Sequence, residues 1–402
     1  MAKSAKQAKI KIGAGGFKIS KEEKAAVMDA LNNNRLSYGP YAKKFENNFA
    51  KLHGVKYALF CNSGTSALQV ALHALKIKYK WQDGDEVIMP AINFVSDPNI
   101  VYYNRMKTVF VDVDPITYNL DPKQIEAKIS KKTRVIMPVH LCGLPADMDE
   151  IKKIAQKHNL KIIEDACETM AVKYKGKPVG SMSDISCFST YAAHILITGV
   201  GGFACTDNLK LAVLIKSLYN HGRDGIYTSM DDDDNISKKK LFEIVDRRFN
   251  FIHPGYSYRA TELEAALGCA QMKYIKKNIK KRNQNARYLT KKLNQFSDYI
   301  QLPYTPPDRE HAFMMYPIVI KSNKVSRKKL IYFLEENGIE TRFLLPLINQ
   351  PVIKKMWRYK IKDYPVSNML NQKAFYIGCH PLLKRQDLDY IVRKFEQFLK
   401  SL

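Results

Sequence analysis

The chain reads as an α/β protein, with a mostly parallel sheet of seven strands between helices and a smaller α+β unit behind it. Three observations predict this. Short apolar runs of strand length alternate with helical stretches through the first half, the pattern of crossover-linked parallel strands. The 402 residues are enough for a large core and two units. Beyond about residue 270 the alternation gives way to long helices with a single clear strand. Two domains are therefore expected, residues 1–270 and residues 271–402.

Taken in order, residues 19–32 carry apolar positions at helical spacing and end in an Asn run. Residues 36–41 form a loop, and residues 42–52 a helix. The seven strand candidates are residues 56–60, 86–89, 108–113, 134–139, 161–164, 184–189 and 203–206. Helical stretches over residues 65–75, 97–104, 122–129 and 148–158 separate most of them. The last two strands are joined by a polar turn and not by a helix, so that end of the sheet is expected to be irregular. Residues 209–218 form a helix. The acidic and lysine-rich run at 231–240 reads as a surface loop. A long helix starts at Thr261, with Glu262 and Glu264 in its first turn, and continues to about Phe296. After it come a strand at 313–320, a helix at 327–337 closed by Gly338, and a terminal helix from Leu388 with Asp387 as its capping residue.

Composition narrows the function classes. Hydrophobic content of 46% and charged content of 26% describe a soluble globular chain. No apolar run reaches the ~20 residues that span a bilayer, and the basic N-terminus has no apolar segment of the secretory kind. Cytoplasm is the expected compartment, with no membrane partner. The seven cysteines lack a CxxC pair, so neither a disulfide framework nor a metal site is expected. The net charge of +26 is spread along the whole chain. It reads as a lysine-rich solvated surface able to steer an anionic substrate, with no nucleic-acid partner, since no DNA-reading motif accompanies it.

The chemistry-bearing pieces lie at strand ends, where open α/β sheets bind ligands. Ser63-Gly64-Thr65 opens a helix directly after a strand, and free amides there suit a phosphate, although the same residues make an ordinary cap. Asp165 ends a strand, either as a plain surface carboxylate or as the charge partner of a protonated ring nitrogen. Phe94 is a core aromatic or a stacking platform. His194 lies in the turn within Ser186–Gly202, seven residues before Gly201-Gly202. It is a structural histidine or a general base.

Together these residues resemble a family. Gly64-Thr65-Ser66-Ala67-Leu68, Ile163-Glu164-Asp165-Ala166, Cys187-Phe188-Ser189, Gly201-Gly202 and Gly255-Tyr256-Ser257-Tyr258-Arg259, in this order, are similar to the DegT/DnrJ/EryC1/StrS sugar aminotransferases. The resemblance implies the fold-type-I architecture of pyridoxal 5'-phosphate (PLP) enzymes and a homodimer with active sites at its interface. It also implies that Gly64, Thr65 and Ser189 hold the cofactor phosphate, Asp165 pairs with the ring nitrogen, and Phe94 covers the ring. Glu168 stands where the family has a glutamine near the ring. Ser257 stands where it has an asparagine reaching the other subunit's phosphate. His221, Arg223 and Arg342 are candidate contacts for the sugar or its diphosphate.

Position 194 departs from the family, which has its cofactor-binding lysine there. No lysine occurs between Lys177 and Lys210. The same swap marks the branch of nucleotide-sugar 3-dehydratases that use free pyridoxamine 5'-phosphate (PMP). The resemblance thus implies removal of the 3-hydroxyl from a nucleotide-linked 4-keto-6-deoxyhexose, with His194 as the base. One subtype re-aminates its cofactor with L-glutamate. The other carries an iron–sulfur cluster on cysteines just after the segment matching His221–Asp224. Here no cysteine lies between Cys205 and Cys269, which favours glutamate. Two other readings stand beside this one: a sugar aminotransferase without the lysine, and a non-catalytic PLP-binding regulator.

Overall fold

The computed structural model describes residues 12–225, 237–345, 347–357 and 359–402. The acidic run at 231–236 lies outside them. Its lysine-rich end begins a helix, with Ser237 as the cap, where a loop was expected.

Among the described residues thirteen strands form three sheets. The first five are β1 (Tyr57–Cys61), β2 (Glu86–Pro90), β3 (Lys107–Val111), β4 (Thr133–Ile136) and β5 (Lys161–Asp165). A small hairpin, β6 (Lys173–Tyr174) and β7 (Lys177–Pro178), precedes β8 (Ile185–Ser189) and β9 (Gly202–Thr206). The large sheet has the order β1-β9-β8-β5-β4-β2-β3. Six of its strands run parallel and β9 runs against both neighbours. The seven strands expected from the sequence are these seven. The irregular end has a simple cause: the turn after β8 returns at the same sheet edge without a crossover helix, so β9 must be antiparallel. A four-stranded antiparallel sheet follows, from β10 (Ile300–Gln301), β11 (Tyr316–Ile320), β12 (Thr341–Phe343) and β13 (Ala374–Ile377), in the order β10-β11-β13-β12.

The helices are α1 (Lys21–Asn32), α2 (Pro40–His53), α3 (Gly64–Tyr79), α4 (Ser96–Tyr103), α5 (Met148–Lys157), α6 (Leu209–Tyr219), α7 (Lys238–Arg247), α8 (Glu262–Met272), α9 (Ile275–Leu293), α10 (Arg327–Glu336), α11 (Pro351–Met356), α12 (Pro365–Lys373) and α13 (Arg385–Leu399). Helix α3 packs on the large sheet with Ala67, Leu68, Val70, Ala71, Leu72, Ala74 and Leu75 all buried. The opposite face meets α2, where Phe49 stacks on Phe203 at 3.9 Å and meets Phe188 edge-on at 5.0 Å. Gly268 of α8 lies so close to Phe45 that a Cβ would stand 2.3 Å from the ring.

Three expected elements differ. The helix expected at 122–129 is two 3₁₀ turns, Pro122–Gln124 and Glu126–Lys128, between which Ile125 is the fully buried residue. One apolar anchor does not give a helix a face to bury. The long helix from Thr261 breaks after Met272, where the Gln271 side chain turns to the backbone of Ile197, accepting at 2.9 Å and donating at 2.6 Å. The expected domain boundary after residue 270 falls in α8, just before this break. Asp387 lies inside the first turn of α13, accepting from the Lys384 amide at 2.8 Å, because the helix starts earlier, at Arg385.

Helix α2 has no side-chain cap of its own, since Gly39 precedes it. The cap comes from across the chain. The buried carboxylate of Glu262 accepts from the amides of Gly39, Tyr41 and Ala42 at 2.8, 2.9 and 2.8 Å. Glu262→Ala leaves those amides without that partner and is expected to destabilise the fold by about 3 kcal/mol. Glu262→Gln, which still accepts, is expected to cost less. Urea unfolding of both variants checks the order.

Candidate active site

The C-terminal edge of the large sheet collects the candidate residues. Strand β1 ends at Cys61, and Ser63 caps α3 by accepting from the Ser66 amide at 3.0 Å. The amides of Gly64 and Thr65 at the start of α3 have no place in the intrahelical ladder and carry the positive end of the helix dipole. Neighbouring backbone closes on this turn. A Cβ on Gly64 would stand 2.8 Å from both the Cys167 sulfur and the Ser189 Cβ, and one on Gly202 would stand 2.5 Å from the Gly64 nitrogen. Gly64, Ser189 and Gly202 are therefore one wall. Ser189 is buried, and its hydroxyl accepts from the Tyr191 amide at 3.3 Å.

Asp165 ends β5 with 4% of its surface exposed and accepts from the Cys167 amide at 2.9 Å. A second carboxyl group, Asp97 at the start of α4, is wholly buried and lies near enough to feel its charge. Burial raises both carboxyls. At Asp97 the Asp165 charge adds to the rise. At Asp165 the Cys167 contacts and nearby His140 oppose it. Glu168 is a third buried carboxyl, pushed up to about 8 by burial, although it accepts from the Cys142 amide at 2.6 Å. Phe94, more than half exposed, opens the turn into α4, where Asn93 hydrogen-bonds to Asp97.

His194 lies in the turn between β8 and β9, its amide bonded to the Tyr191 carbonyl at 2.9 Å. The imidazole is half-buried and its Nδ1 has no hydrogen-bond partner. Burial, then the nearby Arg282 charge, lowers its pKa to about 4, so the ring is neutral at physiological pH. Two residues anchor this turn: Gln271, through Ile197, and Arg282, whose guanidinium reaches the His194 carbonyl at 3.5 Å.

The remaining candidates lie apart from the carboxyl cluster. His221 and Ser257 both bond Arg259, at 3.1 and 3.3 Å, on an exposed rim. Arg223 lies over the rings of Phe249 and Phe251 at 5.4 and 5.7 Å. Arg342 lies on edge strand β12, paired with Glu340 and opposite Tyr376, whose hydroxyl feels the charges of both Glu168 and Arg342. Asp97, Arg282 and Gln271 were not singled out from the sequence, and Arg259 was read only as the last residue of a motif. Asp97 reads there as an ordinary acidic residue of a first helical turn, and nothing in its spacing marks it. Among the described residues no group of three or more His, Cys, Asp or Glu could hold a metal, and no helix is long and apolar enough to cross a membrane.

An amide cradle at a helix start, a buried carboxylate at the end of β5 and an exposed aromatic fit a phosphorylated pyridine. A parallel sheet with one reversed strand and this edge site define the fold of the PLP-dependent aminotransferases. More narrowly, the chain belongs to the DegT/DnrJ/EryC1/StrS aminotransferase family, whose model matches residues 18–396. It is 31% identical over 398 residues to dTDP-4-dehydro-2,6-dideoxy-D-glucose 3-dehydratase of Saccharopolyspora spinosa, covering 96% of this chain and 86% of that protein. It is also 31% identical over 392 residues to GDP-perosamine synthase of Caulobacter vibrioides, covering 97% and 98%. Among solved structures it is similar to E. coli GDP-4-keto-6-deoxy-D-mannose-3-dehydratase with bound hydrated PLP, with a TM-score of 0.86 at 26% identity, covering 96% and 99%. A structure of GDP-4-keto-6-deoxymannose-3-dehydratase with a trapped PLP–glutamate geminal diamine gives the same score and identity, covering 95% and 99%.

Glu168 supplies a stability test. Its folded pKa is about 8 against an ordinary 4.5, so between those values the unfolded chain has lost the proton that the folded chain keeps. Its contribution to stability falls as pH rises through that window. Glu168→Gln is expected to flatten this decline, read as the urea midpoint against pH relative to wild type.

Proposed function

We propose that this protein is a PMP-dependent dehydratase that removes the C3 hydroxyl of a nucleotide-linked 4-keto-6-deoxyhexose. One observation carries the reading. The turn where the family has its cofactor-binding lysine holds a neutral imidazole with an unpartnered Nδ1, and no lysine lies between Lys177 and Lys210.

The chain's own groups divide the work. The amides of Gly64 and Thr65, with Ser189, bind the cofactor phosphate. Phe94 covers one ring face. The Asp165 carboxylate keeps a proton on the ring nitrogen. PMP, when bound, supplies an amine for the sugar's keto carbon and a protonated ring that accepts an electron pair. His194 takes the proton released at the cofactor's C4′, which its low pKa permits at any physiological pH. Imidazole forms no covalent link of the kind lysine forms, so the cofactor stays free. Glu168, neutral below about pH 8, stands beside the ring as a donor in place of an amide. Arg342, Arg223 and His221 are assigned to the sugar diphosphate. The exposed rim with Ser257 is assigned to a face completed by a second copy of the chain. L-Glutamate is the proposed amine source that restores PMP, in line with the dehydratase structure that traps it.

Mass spectrometry of products from a panel of 4-keto-6-deoxy nucleotide sugars tests the reading. A 3-deoxy ketosugar with ammonia is expected, and an amino sugar would make this an aminotransferase like the perosamine synthase. His194→Lys is expected to gain an absorbance that borohydride fixes to the protein and to lose C3–O cleavage. A variant that still dehydrates removes His194 from the base role. Absence of a PMP spectrum after mixing the PLP form with L-glutamate would rule out glutamate as the amine source.

A further inference from the structure

We infer that Gly15 is a specificity-determining residue: the hexose of the nucleotide sugar lies against its bare backbone, between the His194 turn and Arg342. The inference rests on the proposed function and adds to it the chain segment that faces the sugar.

Residues 12–16 form a strap held along the start of β12. Ile12 donates to the Gly338 carbonyl at 3.0 Å and accepts from the Glu340 amide at 2.9 Å. The Ala14 amide donates to Glu340 Oε2 at 2.8 Å, and the same carboxylate pairs with Arg342, which lies opposite Tyr376. Gly378, just past β13, meets the strap so closely that a Cβ there would stand 2.2 Å from the Gly13 carbonyl oxygen. The strap then passes the turn that holds His194. The atom nearest to a Cβ built on Gly15 is the Cα of Ala193, at 3.9 Å, and Ala193 directly precedes His194. Gly15 and Ala193 are both exposed.

The strap contains Gly13, Gly15 and Gly16, and packing accounts for the first and last. A Cβ on Gly13 would stand 2.7 Å from the Gly15 carbonyl oxygen, and one on Gly16 would stand 2.3 Å from His380 Nδ1. Gly15 has no such reason. Its φ lies outside the left-handed region, and a side chain there would make only ordinary contact. What glycine still provides at such a position is backbone that a ligand can approach closely. The amides of Gly15 and Gly16 bond no group among the described residues, so both are donors for a sugar oxygen. Position decides which part of the substrate they meet. His194 is assigned to the reacting end and Arg342 to the diphosphate, and the hexose is what joins the two.

The test uses the full chain and the variants Gly15→Ala and Gly15→Val. Its probes are the 4-keto-6-deoxy nucleotide sugar that wild type binds most tightly, the matching free nucleoside diphosphate, and PMP. Val is expected to raise the Kd and KM for the nucleotide sugar about tenfold, the cost of a misplaced methyl-sized group in a fitted site, and Ala to raise them less. In both variants the Kd for the free nucleoside diphosphate, the Kd for PMP and the urea midpoint are expected to stay at their wild-type values. Val matching wild type toward the nucleotide sugar, or weakening the free nucleoside diphosphate as much as the sugar, would overturn the inference. An equal loss of PMP binding would overturn it too, since that marks a disturbed His194 turn. If Val does not fold, Ala decides, and unchanged Kd and KM for the nucleotide sugar overturn the inference. A wild type that binds no nucleotide sugar would instead overturn the proposed function.

Discussion

The close approach of α3 to the edge of β8 and β9 sets the rest of the site. A side chain on Gly202 would stand 2.5 Å from the Gly64 nitrogen, and one on Gly64 would strike Cys167 and Ser189. Backbone against backbone at this distance leaves the helix start one position relative to the sheet. The reversed strand makes the contact possible. Because β9 returns between β8 and β1, the turn holding His194 comes back to the same edge as the helix start, with Gly201 bridged to Ser63. A crossover helix in that place would have carried the turn to the far end of the sheet.

Buried carboxyls recur through the fold, and their partners distinguish two uses. Glu262 accepts from three backbone amides and caps α2. Asp112 accepts from the amides of Val366 and Ser367 at 2.8 Å each and from the Ser367 hydroxyl, and so caps α12. Those groups are saturated and joined to elements distant in the chain, which is how a buried charge serves stability. Asp165 instead accepts from the Cys167 amide alone, and Glu168 from the Cys142 amide alone. Carboxyls left short of donors in a dry site raise their pKa and stay available to a ligand, the usual mark of a functional cluster.

Much of this was legible in the sequence, because the signals were local. Strand-length apolar runs and the glycines of the cradle carry their reasons within a few residues. The missing crossover helix after Ser189 was legible too. What escaped was set by partners far along the chain. Nothing near Met272 ends a helix; the break follows from Gln271 reaching Ile197. Arg282 reads as one more surface cation on a lysine-rich helix, yet it is buried and holds the carbonyls of Phe313 and Met314 at 3.1 and 2.9 Å. Asp97 was hidden by its own conventional position, since an acid in a first turn already has a local explanation.

Arg282 also bears on why an imidazole suits position 194. Burial and the nearby guanidinium both penalise a cation in this turn, and that penalty acts on any base placed there. A lysine would need a large depression of its pKa to be neutral at physiological pH, whereas a histidine starts near neutrality and needs none. The electrostatics of the turn are therefore those of a site for an uncharged base whichever residue occupies it. What the substitution changes is covalent capacity. In the proposed reaction, that difference separates a site that tethers its cofactor from one that leaves it free, and it arises without any change in the surrounding charge.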